Sequence, residues 1–106
     1  MKILLCCLAG VTSTLFSSKL KDAASRRRVD DTIWSASEIA VEYSIDLADV
    51  VLVEPQLKGS YEKIKAAHPE KKVLLIADED FVNFNALKIF DDCLAAVKEY
   101  EWRKGF

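Results

Sequence analysis

Residues 2 to 16 read Lys-Ile-Leu-Leu-Cys-Cys-Leu-Ala-Gly-Val-Thr-Ser-Thr-Leu-Phe, an apolar run that ends in cysteine and passes through a glycine into three consecutive hydroxyl residues. Such a turn can hold an anion. Backbone N–H groups converge at the start of a helix, the helix dipole adds partial positive charge there, and hydroxyls supply further donors. Cys7 sits at the rim of that turn. The field that would hold a phosphate also favours thiolate over thiol, so the cysteine is expected to have a depressed pKa and to act as a nucleophile. The chemistry these residue types predict is a covalent phosphocysteine site on Cys7.

Positioning such a turn requires a strand before it and a helix after it. Four β-rich runs, at 2–6, 29–34, 48–53 and 72–76, alternate with helical patterns. Leu15, Phe16, Leu20, Ala23 and Ala24 form a helical stripe, Tyr61, Ile64 and Ala67 a shorter one, and Leu87, Phe90, Leu94 and Val97 a third. Ser37 before Glu38-Ile39-Ala40 predicts the cap of another short helix. Continuous apolar strands separated by helices indicate a parallel sheet covered on both faces. The expected fold is therefore α/β, a flavodoxin-like three-layer sandwich with a four-stranded parallel sheet in the order 2-1-3-4. Ligands of such sheets bind beyond the carboxyl ends of the strands, where the loop carrying Cys7 lies. Residues 34–37, 54–59 and 77–80 share that edge, and Glu54, Asp78, Glu79 and Asp80 give it an acidic cast.

Composition narrows the function classes. A chain of 106 residues that is 51% hydrophobic can bury one core and is read as a single domain, 1–106. A formal charge of −2 supplies no field for nucleic acid, and Arg26-Arg27-Arg28 reads as a solvated helix end at the edge opposite Cys7. No apolar run reaches the roughly 18 residues of a membrane span, and no small-residue cleavage site follows the first apolar run, so a cytoplasmic location is expected. Three cysteines cannot all pair, and two of them are adjacent, which argues for reduced thiols. Cys6, one residue earlier on the strand, points to the opposite face and reads as core, as does Cys93. The single histidine, His68, is remote in sequence from the cysteines and reads as a helix end; no metal or other cofactor is expected.

The pattern Cys-x-Ala-Gly-x-Thr-Ser-Thr at 7–14, followed by Ser18-Lys19-Leu20, resembles the phosphocysteine loop of the IIB enzymes of the phosphoenolpyruvate-dependent sugar phosphotransferase system, lactose/cellobiose (N,N′-diacetylchitobiose) type. Residues 48–56, Ala-Asp-Val-Val-Leu-Val-Glu-Pro-Gln, are similar to that family's strand ending in Pro-Gln. The resemblance covers nearly the whole chain. It implies that Cys7, rather than Cys6, takes a phosphoryl group from a histidine of a IIA protein, with Leu8, Ala9, Gly10, Val11, Thr12, Ser13 and Thr14 as the phosphate cradle. It also implies that the group passes to a sugar, a β-glucoside such as cellobiose, or lactose, held by a membrane IIC component. Pro55 and Gln56 would belong to the partner-facing edge. The chain departs from the family pattern at Glu54, where a small residue is common, and at Val82 and Ala86, where glycines are common.

Two other readings use the same elements. Low-molecular-weight tyrosine phosphatases place a cysteine loop after the first strand of a similar sandwich, but close it with an arginine six positions after the cysteine. Here that position is Ser13, and no Lys or Arg precedes Lys19, so a loop that holds phosphate would lack the cation that drives its hydrolysis. A non-catalytic flavodoxin-like binding module is compatible with the fold alone. Within the phosphocarrier reading, the acidic edge predicts a donor protein with a basic face and an association that weakens with salt.

Overall fold

The computed structural model describes residues 1–8, 10–29 and 31–103, with side chains described as far as residue 98. Strands β1 (Lys2–Cys6), β2 (Thr32–Ala36), β3 (Val50–Val53) and β4 (Lys72–Leu75) form one parallel sheet in the order β2-β1-β3-β4. Helices α1 (Val11–Arg26), α2 (Lys58–Ala67), α3 (Asp78–Val82) and α4 (Ala86–Arg103) fill the connections. The expected three-layer arrangement is present.

Alternation along the central strands sorts the core into two halves. Ile3, Leu5 and Cys7 of the first run, with Val50 and Leu52 of β3, pack against Phe16 and Leu20 of α1, Phe81 of α3, and Ile89, Phe90 and Cys93 of α4. Leu4 and Cys6, with Val51 and Val53, pack on the other side against Val41, Ile45, Leu57 and Ile64 of α2. Burial of a side chain such as Phe16 or Phe90 contributes roughly 1.5–3 kcal/mol. Covering both faces explains why the central strands are apolar throughout instead of alternating with polar residues. Cys6 and Cys93 are core residues, and burial pushes their thiols up to about 11 and about 12.

Several expected bounds move: β2 ends at Ala36 and not at Trp34, β3 begins at Val50 and not at Ala48, and β4 ends at Leu75 and not at Ile76. The second strand begins at Thr32, not at Val29, because residues 27–29 close α1: Arg28 adopts φ 54° and donates its N–H to Ser25 O, while Val29 N–H reaches back to Ala24 O at 3.1 Å. These are the paired bonds of a left-handed helix terminus, here without glycine. The helix expected after Ser37 is absent. Ser37 does cap, its carbonyl accepting from Ala40 and Val41 at 3.0 Å, but the chain continues as two 3-10 turns, Val41–Tyr43 and Ile45–Leu47. Ser44 interrupts them with φ −132° and accepts a hydrogen bond from Trp34 Nε1 at 3.0 Å. Two short turns bury Val41 and Ile45 as fully as a helix would.

Candidate active site at the carboxyl edge

β1 ends at Cys6, and Cys7 continues its line, donating its N–H to Ala36 O at 3.0 Å. On the other side the neighbouring strand runs on in register. Cys6 faces Val53, and Glu54 N–H donates to Cys6 O at 3.2 Å. Cys7 and Glu54 are thus the next residues of two adjacent parallel strands, and both lie on the side of the sheet covered by α1.

α1 begins after Gly10 with no side-chain cap, so its first amides are available to an anion. A Cβ at Gly10 would meet nothing within 4 Å, which leaves the turn open on that side. The cradle residues divide into distinct groups. Leu8 is exposed, but its N–H is taken, donating to Glu54 Oε1 at 3.2 Å. Val11 and Thr12 are exposed at the open helix end. Ala9 lies outside the described residues.

The three hydroxyls do not line the turn together. Ser13 is buried, its Oγ 2.6 Å from Leu8 O and 2.9 Å from Glu54 Oε1. Thr14 donates its hydroxyl to Gly10 O at 2.9 Å. Thr12 is the hydroxyl left facing solvent at the helix mouth. A helix turn of 100° per residue makes this unavoidable, since three consecutive side chains cannot share one direction.

Glu54 is the site residue that sequence reasoning misplaced. It is fully buried, not part of a surface acidic rim, and its Oε1 also accepts from Gln56 Nε2 at 2.8 Å. Its Oε2 is buried without a hydrogen-bond partner among the described residues. The signal that could have found it is positional: an acid directly after a wholly apolar central strand, level with the cysteine of the strand beside it. Burial pushes its carboxyl above the usual range, against the pull of the Ser13 and Leu8 hydrogen bonds.

The expected depressed pKa of Cys7 is also overturned. The residue is buried among apolar neighbours, and this burial, followed by the Glu54 carboxylate, holds the thiol above its ordinary value; only a hydrogen bond with Ser35 pulls the other way. Desolvation and the neighbouring Glu54 carboxylate both favour the neutral thiol.

The rest of the edge is less acidic than its sequence suggests. Asp80 is buried and held by Lys88 Nζ at 2.7 Å and Asn85 Nδ2 at 2.9 Å. Asp78 and Glu79 remain exposed. Leu8, Val11 and Leu15 are exposed around the cysteine turn, and Ile39 and Val82 are exposed on the segments after β2 and β4. Pro55 opens the 3-10 turn Pro55–Leu57, and Gln56 holds Glu54 in place. Trp34 is half-buried beneath the second core half and is not part of the edge. At the far side of the molecule, Arg27 pairs with Asp91 at 2.8 Å.

Comparison with known proteins gives one consistent picture. The sequence profile of the family described as PTS system, Lactose/Cellobiose specific IIB subunit, matches residues 2–91. Two solved structures share the fold. One is a cellobiose-specific phosphotransferase IIB component protein from Borrelia burgdorferi, with TM-score 0.80 and 24% identity, covering 94% of each chain. The other is a lactose-specific IIB component domain from Streptococcus pneumoniae, with TM-score 0.78 and 16% identity, covering 91% of this chain and 96% of that one. At these identities the likeness concerns the fold. No curated protein matches the chain.

Proposed function

Since the chain belongs to the lactose/cellobiose-specific IIB subunit family of the sugar phosphotransferase system, we propose that it is a phosphocarrier whose phosphoryl group rides on Cys7. The whole chain acts as one domain. A phosphohistidine of a IIA protein donates the group, and a sugar of the cellobiose or lactose class receives it while held by a membrane IIC component. The protein works at the cytoplasmic face, docked to that component. Among the described residues no helix is long and apolar enough to cross a membrane.

The observation that carries this reading is the placement of Cys7 at the end of a central strand, beside a glycine turn that opens an uncapped helix. Sulfur attack on the phosphorus would proceed in line, with the amides at the start of α1 and the Thr12 hydroxyl receiving the phosphoryl oxygens. Ser13 and Thr14 support the turn from behind, through Leu8 O and Gly10 O. No lysine or arginine stands in the segment 7–18, which suits a loop that stores a phosphoryl group and does not hydrolyse it. The docking surface is the apolar collar of Leu8, Val11 and Leu15.

The test is intact mass after incubation with phosphoenolpyruvate, the general phosphotransferase proteins and a IIA of this class. Wild type and Cys6→Ser gain one phosphoryl group; Cys7→Ser loses at least about a thousandfold in rate, as expected when a nucleophile is removed. Transfer to Cys7→Ser at the wild-type rate would overturn the assignment.

A further inference from the structure

We propose that charging of Cys7 is coupled to a proton through Glu54: the proton that leaves the thiol as sulfur attacks phosphorus is taken up by the Glu54 carboxyl group, and it returns when the phosphoryl group departs. This rests on the phosphocysteine reading above.

Geometry supplies the reason. Glu54 follows the strand next to Cys7 in register, is fully buried, and has three donors within reach of Oε1 while Oε2 has no partner among the described residues. Oε2 is therefore the atom open to a proton. The titratable group on its side of the sheet at the end of β1 is Cys7; Cys6, one residue earlier, lies on the opposite side. From α1 it meets the Ser13 hydroxyl, from the loop the Leu8 amide, and from the turn after β3 the Gln56 amide. Among the described residues no lysine, arginine or histidine forms an ion pair with it. A dianionic phosphoryl group on Cys7 would thus share a loop with a buried carboxylate and no cation. Two anions in one site cannot both persist there without raising the proton affinity of one of them.

The step balances. The P–S bond forms and the P–N bond breaks. The donor histidine, protonated on its other ring nitrogen, leaves as neutral imidazole, and the S–H proton passes to Glu54. In the second step the P–S bond breaks and a P–O bond to the sugar forms. The sugar hydroxyl proton goes to a base of the acceptor complex, and Glu54 returns its proton to the sulfur.

Protonation also prepares the cradle. Ser13 has one hydroxyl proton within reach of both Leu8 O and Glu54 Oε1, so it serves one of them at a time. Neutral Glu54 is a weaker acceptor than the carboxylate, and it frees the Leu8 N–H to turn toward the phosphoryl oxygens. The carboxylate thus holds the empty turn in shape and yields its donors when the phosphoryl group arrives.

The experiment is carbon NMR of the full chain labelled at glutamate Cδ, titrated before and after charging with phosphoenolpyruvate, the general phosphotransferase proteins and a IIA of this class. Phosphorus NMR on the same sample monitors the phosphocysteine. The Glu54 midpoint is expected to rise by at least about 1 pH unit on charging, a tenfold gain in proton affinity. An unchanged midpoint while phosphocysteine is present would overturn the proposal and leave the carrier assignment standing. No phosphocysteine at all would overturn both. A second readout uses Glu54→Gln: its transfer equilibrium should gain about one decade per pH unit relative to wild type, because the thiol proton then goes to solvent. Parallel slopes in the two proteins would equally sink the coupling.

Discussion

Two acids stand at the same edge of the sheet, Glu54 after β3 and Asp80 in α3 after β4, and both are buried. Asp80 has Lys88 at 2.7 Å and Asn85 beside it, and these hold its carboxyl below the usual range. Glu54 has the Leu8 and Gln56 amides and the Ser13 hydroxyl but, among the described residues, no cation paired with it, and its carboxyl moves up instead. A carboxylate buried with a cation serves as structural glue, pinning the start of α4 to α3. One buried against neutral donors, level with a cysteine, keeps a proton affinity that chemistry at its neighbour can change.

The contrast can be broken most easily by stability. Asp80→Ala leaves Asn85 without its acceptor and Lys88 with only the longer contact to Asp92 at 3.7 Å, and thermal melting at neutral pH should fall by several degrees. Glu54→Gln keeps the shape and the Oε1 acceptor, and its melting temperature should stay much closer to wild type. A larger loss for Glu54→Gln than for Asp80→Ala would reverse the roles assigned here.

The pH profiles of stability should then have opposite signs. A raised folded pKa means that the folded protein binds more protons than the unfolded chain. Glu54 therefore destabilises progressively as pH rises from about 4.3, the unfolded value, through its folded value. Asp80, with a lowered folded pKa, contributes stability that is present above about 3.9 and is lost as pH falls through its folded value. Urea melts across pH 3 to 8 should show Glu54→Gln removing the first slope and Asp80→Asn removing the second. Identical profiles for the two variants would erase the distinction.

Thiol reactivity gives a smaller effect. Alkylation of Cys7 should have a midpoint above the ordinary cysteine value of about 8.5, and Glu54→Gln should lower it without abolishing the shift, since burial is the larger cause. Asp80→Asn should leave it unmoved. A wild-type midpoint below 8.5 would restore the helix-terminus expectation.

Salt should matter least. With Glu54 buried and Asp80 paired, the surface around Cys7 is Leu8, Val11 and Leu15, so affinity for a IIA protein should change less than about tenfold between 0.05 and 0.5 M salt. A steeper loss would mean that exposed Asp78 and Glu79 govern the encounter.

Much of this molecule follows from short-range pattern. The apolar runs at 2–6 and 50–53, the stripe of Phe16, Leu20, Ala23 and Ala24, and the glycine turn into a hydroxyl-rich helix start were legible in the chain alone, because strand and helix periods are local properties. So were the core roles of Cys6 and Cys93. The state of the site was not. Glu54 reaches Leu8 and Ser13 across 46 and 41 residues of sequence, and its register beside Cys7 exists only once β1 and β3 pair. The proton affinity of a thiol or a carboxylate is set by what surrounds it and by what water can reach. Residue order alone marks which cysteine follows the first strand and where the glycine turn after it lies. Tertiary structure alone decided that a buried carboxylate stands beside it, because desolvation is a property of the packed molecule and not of the chain.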